Sequence, residues 1–134
     1  MKDRTHLQLY DSIGYLVQPQ IHIEDAVIVT GSHAGDSAAR FVLDHGEVPL
    51  AVFFNDAGIG KDKAGISGLS LLQTCDIAAA AYSYESARIG EARDGLENGI
   101  ITHVNVAAAG LNIWIGQPVA LAVQQLLKRR TQRP

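Results

Sequence analysis

Three uninterrupted apolar segments of strand length stand out along the chain. They cover residues 26–30, 50–54 and 77–82. None alternates apolar with polar residues, as a strand with one face in water would. The pattern therefore predicts strands that are covered on both faces, as in a parallel sheet. The third segment is mostly alanine, which prefers helix, so its position in the repeat supports a strand more than its composition does.

Each apolar segment is followed by a polar loop that contains glycine, and the first two loops lead into helical periodicity. Helices are predicted over about 36–45 and 66–74. Strand starts recur about every twenty-five residues, the period of compact βα units. The chain is therefore predicted to form one three-layer α/β/α domain, residues 1–134. Its sheet is expected to be small, mainly parallel and flavodoxin-like or Rossmann-like, with glycine-rich loops at the C-terminal edge of the strands.

The segments outside this repeat leave alternatives open. Residues 7–17 fit an additional strand or a short helix, and residues 21–23 are candidates to extend the first strand. Residues 100–109 favour a helix, with a strand as the alternative. A final helix is predicted over about 118–130, because proline suits the first position of a helix. Its apolar face is expected to pack on the domain or on another subunit, and we expect a homo-oligomer.

Composition and charge narrow the range of partners. Of the 134 residues, 47% are hydrophobic and 19% are charged, a balance typical of globular proteins. The formal net charge of -3 gives no basic field for nucleic acid. One basic run exists, and it stands where cations stabilise the end of a helix: Lys128, Arg129, Arg130 and Arg133.

The sequence shows neither a leader peptide nor an apolar run of membrane-spanning length. The single cysteine, Cys75, cannot form an internal disulfide, which favours a cytoplasmic protein. Cys75 falls in a short turn that precedes a predicted strand. Ligands of open α/β sheets bind at the opposite edge, where loops follow the strands, so Cys75 is not expected to be a catalytic thiol.

The first loop at the C-terminal edge places Ser32 and His33 between Gly31 and Gly35. Glycines allow backbone N–H groups to approach a ligand closely, so both are predicted to bind substrate. Ser32 is a candidate nucleophile or orienting group, and His33 a candidate acid or base. Alternatively, Ser32 caps a turn and His33 is simply exposed.

The second loop contains Asn55, Asp56, Gly58 and Gly60, and it lacks a nucleotide-cofactor signature. It fails both the Walker A pattern and the dinucleotide fingerprint, since Lys63 stands where a third glycine is needed. Asn55 and the glycines are predicted to bind an anion through a nest of amides. Asp56 is a candidate catalytic or orienting carboxylate, with an Asx turn or a helix cap as the alternative.

The third loop contributes Ser86 and Arg88 as candidate substrate-binding residues. Arginine suits bidentate recognition of carboxylate or phosphate, although Arg88 has Glu85 and Glu91 three residues away as ordinary partners. Farther along, His103 is a candidate binding residue or a packing residue. His33, His103 and Asp56 together would suit a divalent metal, but their spacing identifies none, so no metal ligand is assigned.

These residues predict a small-molecule enzyme acting on an anionic metabolite that carries a carboxylate or a phosphate. Asp56 and His33 would transfer protons and Ser32 would orient or attack. Hydrolase chemistry is slightly favoured over lyase or isomerase chemistry, because Ser, His and Asp are all present. A non-catalytic ligand-binding or regulatory module and a structural oligomer-forming subunit are the alternatives.

Overall fold

A computed structural model, which describes residues 6–63 and 65–131, confirms the α/β class. Five strands form one sheet, and the first four are parallel while the fifth runs antiparallel at the edge. Their order in the sheet follows the chain: β1 (Leu7–Tyr10), β2 (Val27–His33), β3 (Ala51–Asn55), β4 (Ala78–Tyr82) and β5 (Ile101–Val104).

Helices cover both faces of this sheet, which makes three layers. The helices are α1 (Asp36–Leu43), α2 (Ser67–Gln73), α3 (Ala92–Asn98), α4 (Val106–Ala109) and α5 (Val119–Thr131), with 3₁₀ helices at Ile13–Val17 and Lys61–Lys63. The first 3₁₀ helix, α1 and α2 pack on one face. Helices α3 and α5 pack on the other. Within the described ranges, no helix has the length and apolarity needed to cross a membrane.

Burial on both faces explains the uninterrupted apolar segments. In β3, Val52 and Phe54 face one layer while Ala51 and Phe53 face the other, and all four are fully buried. The alanines of β4 alternate in the same way. They adopt a strand because pairing and packing in the centre of the sheet outweigh the intrinsic preference of alanine for helix.

Several predicted boundaries need correction. Residues 101–104 form β5 instead of a helix, and only residues 106–109 are helical. The break comes at Asn105, whose side-chain oxygen accepts a hydrogen bond from the backbone N–H of Ala108 and so caps α4. Residues 21–23 do not extend β2, and residues 7–17 contain both a strand and a short helix.

The final helix begins after Pro118 as predicted, and its apolar face packs within the domain. Val119, Ala122 and Leu126 lie on the side of α5 that faces the sheet, and they are buried there. Residues 1–5 and Arg133, which entered the predictions about a leader and the basic run, lie outside the described residues.

Helix α3, which the sequence did not predict, sets the shape of the C-terminal edge. After β4 the chain crosses this edge toward β2, where the Gly90 N–H donates to the carbonyl of Gly31 at 2.7 Å. The Ala92 N–H then donates to Oδ1 of Asp11 at 2.9 Å. Neighbouring strands β3 and β4 therefore send their loops to opposite faces. In open α/β sheets such divergence marks the ligand-binding crevice.

Candidate functional site

Asp56 lies at the point of divergence and is almost completely buried, with 5% of its surface exposed. Its Oδ1 accepts hydrogen bonds from the backbone N–H groups of Gly58 at 2.9 Å and Tyr84 at 3.0 Å. Its Oδ2 accepts from the hydroxyl of Thr102 at 3.0 Å. The carboxylate thus forms the predicted Asx turn and also joins the loops after β3 and β4 to β5. These three hydrogen bonds hold the carboxylate in one orientation and fix the groups that donate to it.

A β-bulge in β5 brings Thr102 and His103 to the same side of the strand. Tyr82 pairs with Ile101, and the residue before it on β4, Ala81, pairs with His103. Thr102 is therefore the additional, unpaired residue on β5. His103 Nδ1 lies 3.0 Å from Thr102 Oγ1. The bulge therefore places an imidazole within reach of Asp56 through one hydroxyl.

Proton positions along this chain follow from donor and acceptor chemistry. The single hydroxyl proton of Thr102 has three possible acceptors: Asp56 Oδ2 at 3.0 Å, the carbonyl of Ala81 at 3.3 Å and, in the Nε2-protonated tautomer, His103 Nδ1 at 3.0 Å. A carboxylate is the strongest acceptor of the three. Thr102 Oγ1 then accepts from His103, which assigns the ring proton to Nδ1 and leaves Nε2 as an acceptor. We call this arrangement the Asp56–Thr102–His103 chain.

Asn55 and Ser86 brace the loops. The buried Asn55 amide donates to the carbonyl of Ala87 at 3.1 Å and its oxygen accepts from the Ala57 N–H at 2.7 Å. Ser86 Oγ donates to the carbonyl of Ser83 at 2.8 Å and accepts from the Ile100 N–H at 3.0 Å. Their hydrogen-bonding groups are used inside the protein, which holds the edge rigid.

The glycine-rich loop after β3 also uses its own amides. Residues 57–60 all have left-handed backbone angles, with φ of 50° at Ala57 and 69° at Ile59. The N–H groups of residues 57–60 donate to Asn55 Oδ1, Asp56 Oδ1, the Asp56 carbonyl and the Gly58 carbonyl. In this conformation the predicted anion nest has its amides occupied by the loop itself.

The sequence predicted a loop at Gly31, Ser32 and His33, but these residues form the end of β2. Some of the residues in this segment brace the fold and others are exposed. Ser32 Oγ accepts from the Ile13 N–H at 3.0 Å. A Cβ on Gly31 would lie 2.5 Å from the carbonyl carbon of Gly90, so this glycine admits the crossing loop. Gly35 precedes α1 as its N-cap without a side-chain hydrogen bond. His33 is exposed, and its ring makes no hydrogen bond to the residues that the structure describes.

The two imidazoles belong to strands that are not neighbours. His33 lies on β2 and His103 on β5, so their backbones are separated by three strand spacings of about 4.8 Å, or roughly 14 Å. Among the described residues, no three His, Cys, Asp or Glu side chains are grouped to hold a metal ion. The set of His33, His103 and Asp56, which the sequence analysis considered without assigning a metal ligand, is therefore not assembled.

Arg88 lies on the loop that crosses the edge. Its guanidinium pairs with Glu91 at 3.7 Å, the ordinary partnership considered above, and its side chain is 79% exposed. Its backbone N–H donates to Asp94 Oδ2 at 2.8 Å, and this hydrogen bond lowers the pKa of the Asp94 carboxyl. An exposed ion pair of this kind is weak, so an anion can displace it.

Thr102 is the residue of the candidate site that the sequence analysis missed. A helix over residues 100–109 would separate neighbouring side chains by about 100°. The bulged strand instead sets Thr102 and His103 side by side. The one feature of the sequence that could have indicated this role is the hydroxyl-bearing residue directly before His103. Cys75 is exposed in the turn before β4, at the edge opposite this site.

Comparison of the chain with known proteins gives no match to a family model, a curated protein or a solved structure.

Proposed function

We propose that this domain is an acid–base enzyme that acts on a small anionic metabolite beside β5, with His103 as the proton-transferring group. The observation that carries the proposal is the Asp56–Thr102–His103 chain. It joins the buried Asp56 carboxylate to a half-buried imidazole through hydrogen bonds of 3.0 Å and 3.0 Å.

The chain supplies what a general base requires. A carboxylate that orients an imidazole fixes its tautomer and stabilises the imidazolium that forms when the ring takes a proton. Here Asp56 acts through Thr102 and is a positioning residue. His103 Nε2 is the atom that would accept a proton from the substrate and return it.

Exposed cations in the loops at the C-terminal edge of the sheet favour an anionic substrate. Lys61 and Lys63 follow β3 on the 3₁₀ helix, and Arg88 lies on the loop after β4. Carboxylate and phosphate are the groups that such side chains recognise. The proposed substrate therefore carries a carboxylate or a phosphate.

The reaction type shifts from the original expectation. Ser32 lies on β2 with its oxygen bonded to the Ile13 N–H, three strands from His103. A serine nucleophile activated by His103 is therefore disfavoured. Proton transfer within the substrate, as in a lyase or isomerase, or hydrolysis by water fits the geometry better.

Ligand-induced stabilisation tests the proposal. We would measure the melting temperature with small carboxylates, sugar phosphates and inorganic phosphate, then assay turnover of each compound that binds. A ligand at a hundred times its Kd adds about 2.7 kcal/mol of stability. We expect a shift with an anion and turnover that His103→Gln abolishes, while the matched variant His33→Gln keeps it. Binding without turnover would indicate a binding module and overturn the enzyme.

The Asp56–Thr102–His103 chain can also be tested by a measurement that does not depend on activity. Nitrogen chemical shifts of the imidazole distinguish the two tautomers without substrate. We expect His103 to be protonated on Nδ1 in the native protein and to lose this preference in Thr102→Val, with the rest of the spectrum conserved. A native His103 protonated on Nε2 would contradict the assigned role.

A further inference from the structure

A cavity of about 520 Å³ lies away from the C-terminal edge, between the first 3₁₀ helix and the end of α1. Its volume is within the range of small-molecule sites. One wall is apolar and is formed by Leu16, Val17, Pro19, Ile21 and Phe41. Val17 is 70% exposed and Phe41 is 37% exposed, so apolar surface is open to a ligand.

His45 also lines the cavity, and both of its ring nitrogens have partners. Its Nε2 lies 2.8 Å from the carbonyl of Ile21, which can only accept, so Nε2 carries the proton. Its Nδ1 then accepts from the Glu47 N–H at 3.3 Å. Both ring nitrogens are occupied, and the ring fixes the segment before β2 against the turn after α1.

Glu47 gives the cavity a fixed negative charge. Its Oε1 accepts from the Ile23 N–H at 2.8 Å, and this hydrogen bond is the main cause of the lowered pKa of its carboxyl. Its Oε2 lies 3.4 Å from Nδ1 of His22, whose side chain is 77% exposed. Asp44 adds a second carboxylate, and no lysine or arginine lines the cavity.

We propose that this cavity binds a small organic cation, an ammonium group on an aromatic or branched apolar body. The ammonium would lie against Glu47 and Asp44, and the apolar body would cover Phe41 and Val17. Two carboxylates in a lining without lysine or arginine repel anions, so this site and the proposed anion site at the C-terminal edge would accept opposite charges. The inference does not depend on the proposed enzyme activity.

Three probes of similar shape separate charge from apolar contact: 2-phenylethylamine, 2-phenylethanol and 3-phenylpropionate. We would titrate each into the full-length protein at pH 8 and follow backbone amide signals by NMR. The amine should shift signals of residues 16–22 and 41–47 and leave those of Asp56 and His103 unchanged. We expect about tenfold weaker binding of the alcohol, a factor consistent with one partly screened charge pair, and no binding of the acid.

Matched variants test the carboxylates. Glu47→Gln keeps an oxygen to accept from the Ile23 N–H, and Asp44→Asn changes an exposed residue, so both variants should fold. We expect each to weaken amine binding several-fold. Glu24→Gln is the control, because Glu24 likewise accepts a backbone N–H, that of Val48 at 3.1 Å, and does not line this cavity. Equal affinity for amine and alcohol, or unchanged binding in Glu47→Gln, would overturn the proposal.

Discussion

Thr102 of β5 donates its hydroxyl to the Asp56 carboxylate at the end of β3, across the width of the intervening strand β4. The same carboxylate accepts the N–H of Tyr84, which follows β4. One buried side chain therefore fixes the ends of three strands. Asp56 should therefore contribute to stability whether or not the protein is an enzyme. Stability and activity must be measured separately in each Asp56 variant.

Replacing Asp56 by Ala should lower the free energy of unfolding by about 3 kcal/mol. The change removes the acceptor of the Gly58 and Tyr84 N–H groups and of the Thr102 hydroxyl, three partly buried hydrogen bonds that are worth about 1 kcal/mol each. Urea denaturation measures the loss. Asp36→Ala is the control, since exposed Asp36 interacts mainly with the α1 dipole, worth about 0.5 kcal/mol. Equal losses in the two variants would refute the bracing role.

Asp56 and Thr102 should be energetically coupled. In a double-mutant cycle with Asp56→Ala and Thr102→Val, we expect a coupling energy of about 1 kcal/mol, because each single change already removes their hydrogen bond. Urea unfolding of the four proteins gives the value. Strict additivity would mean that the hydroxyl donates elsewhere, for example to the carbonyl of Ala81.

Gly31→Ala should destabilise the fold by about 3 kcal/mol. The new methyl group would lie 2.5 Å from the carbonyl carbon of Gly90 and 2.7 Å from its Cα, and backbone cannot move as a side chain can. Gly110→Ala is the matched control. A Cβ at Gly110 has its nearest contact at 3.4 Å and φ is -65°, so we expect no loss or a gain of about 0.5 kcal/mol. Thermal unfolding of both variants decides the point.

Tyr82→Phe should change the response of stability to alkaline pH. The buried hydroxyl donates to the carbonyl of Thr30 at 2.7 Å, and burial raises the pKa of Tyr82 above its usual value of 10.0. The native state therefore favours the protonated phenol. Its contribution is present in full below pH 10 and declines as pH rises above 10, when the unfolded chain ionises.

At pH 8 the variant should be less stable by about 1 kcal/mol, the worth of one hydrogen bond. By pH 11 the native protein should lose about 1.4 kcal/mol, one pH unit of linkage, which cancels this difference and leaves the variant slightly more stable than the native protein. Urea unfolding at both pH values tests the expectation, with exposed Tyr15→Phe as the control. A difference that is constant with pH would count against a buried, protonated Tyr82.

Asn105→Asp should destabilise the protein by about 3 kcal/mol or more at pH 7. The Asn105 amide donates to the carbonyls of Ile77 at 2.9 Å and Leu69 at 3.2 Å, and a carboxylate oxygen there would face two acceptors. Stability should partly recover as pH falls and the new carboxyl is protonated. Exposed Asn112→Asp should have little effect. Guanidinium unfolding at pH 7 and pH 5 compares them.

The sequence predicted the buried strands well, because strands covered on both faces leave uninterrupted apolar segments such as 50–54. It predicted β5 poorly. Residues 101–104 lie at the sheet edge, with three of the four only partly buried, so no such segment marks them. Helix α3 is short and polar, and its helical state depends on packing over β2, which the local sequence does not encode.

The sequence predicted where the candidate site lies in the fold, but it did not predict which of its residues are hydrogen-bonded to one another. The polar residues after β2, β3 and β4 do gather at the C-terminal edge, as parallel topology requires. Which of them face a ligand depends on hydrogen bonds between distant segments, such as Asn55 to Ala87 and Ser32 to Ile13. The role of Thr102 depends on a bulge, a tertiary feature without a local pattern.

The return of α3 over β2 also affects the order in which the protein can fold during synthesis. Strands β1 to β4 follow one another along the chain and can pair as soon as residue 82 has left the ribosome. One face of that sheet, including Val27, Val29 and Phe53, waits for α3 and α5 to cover it. A nascent chain stalled before residue 92 would carry an exposed apolar surface, the kind that chaperones bind.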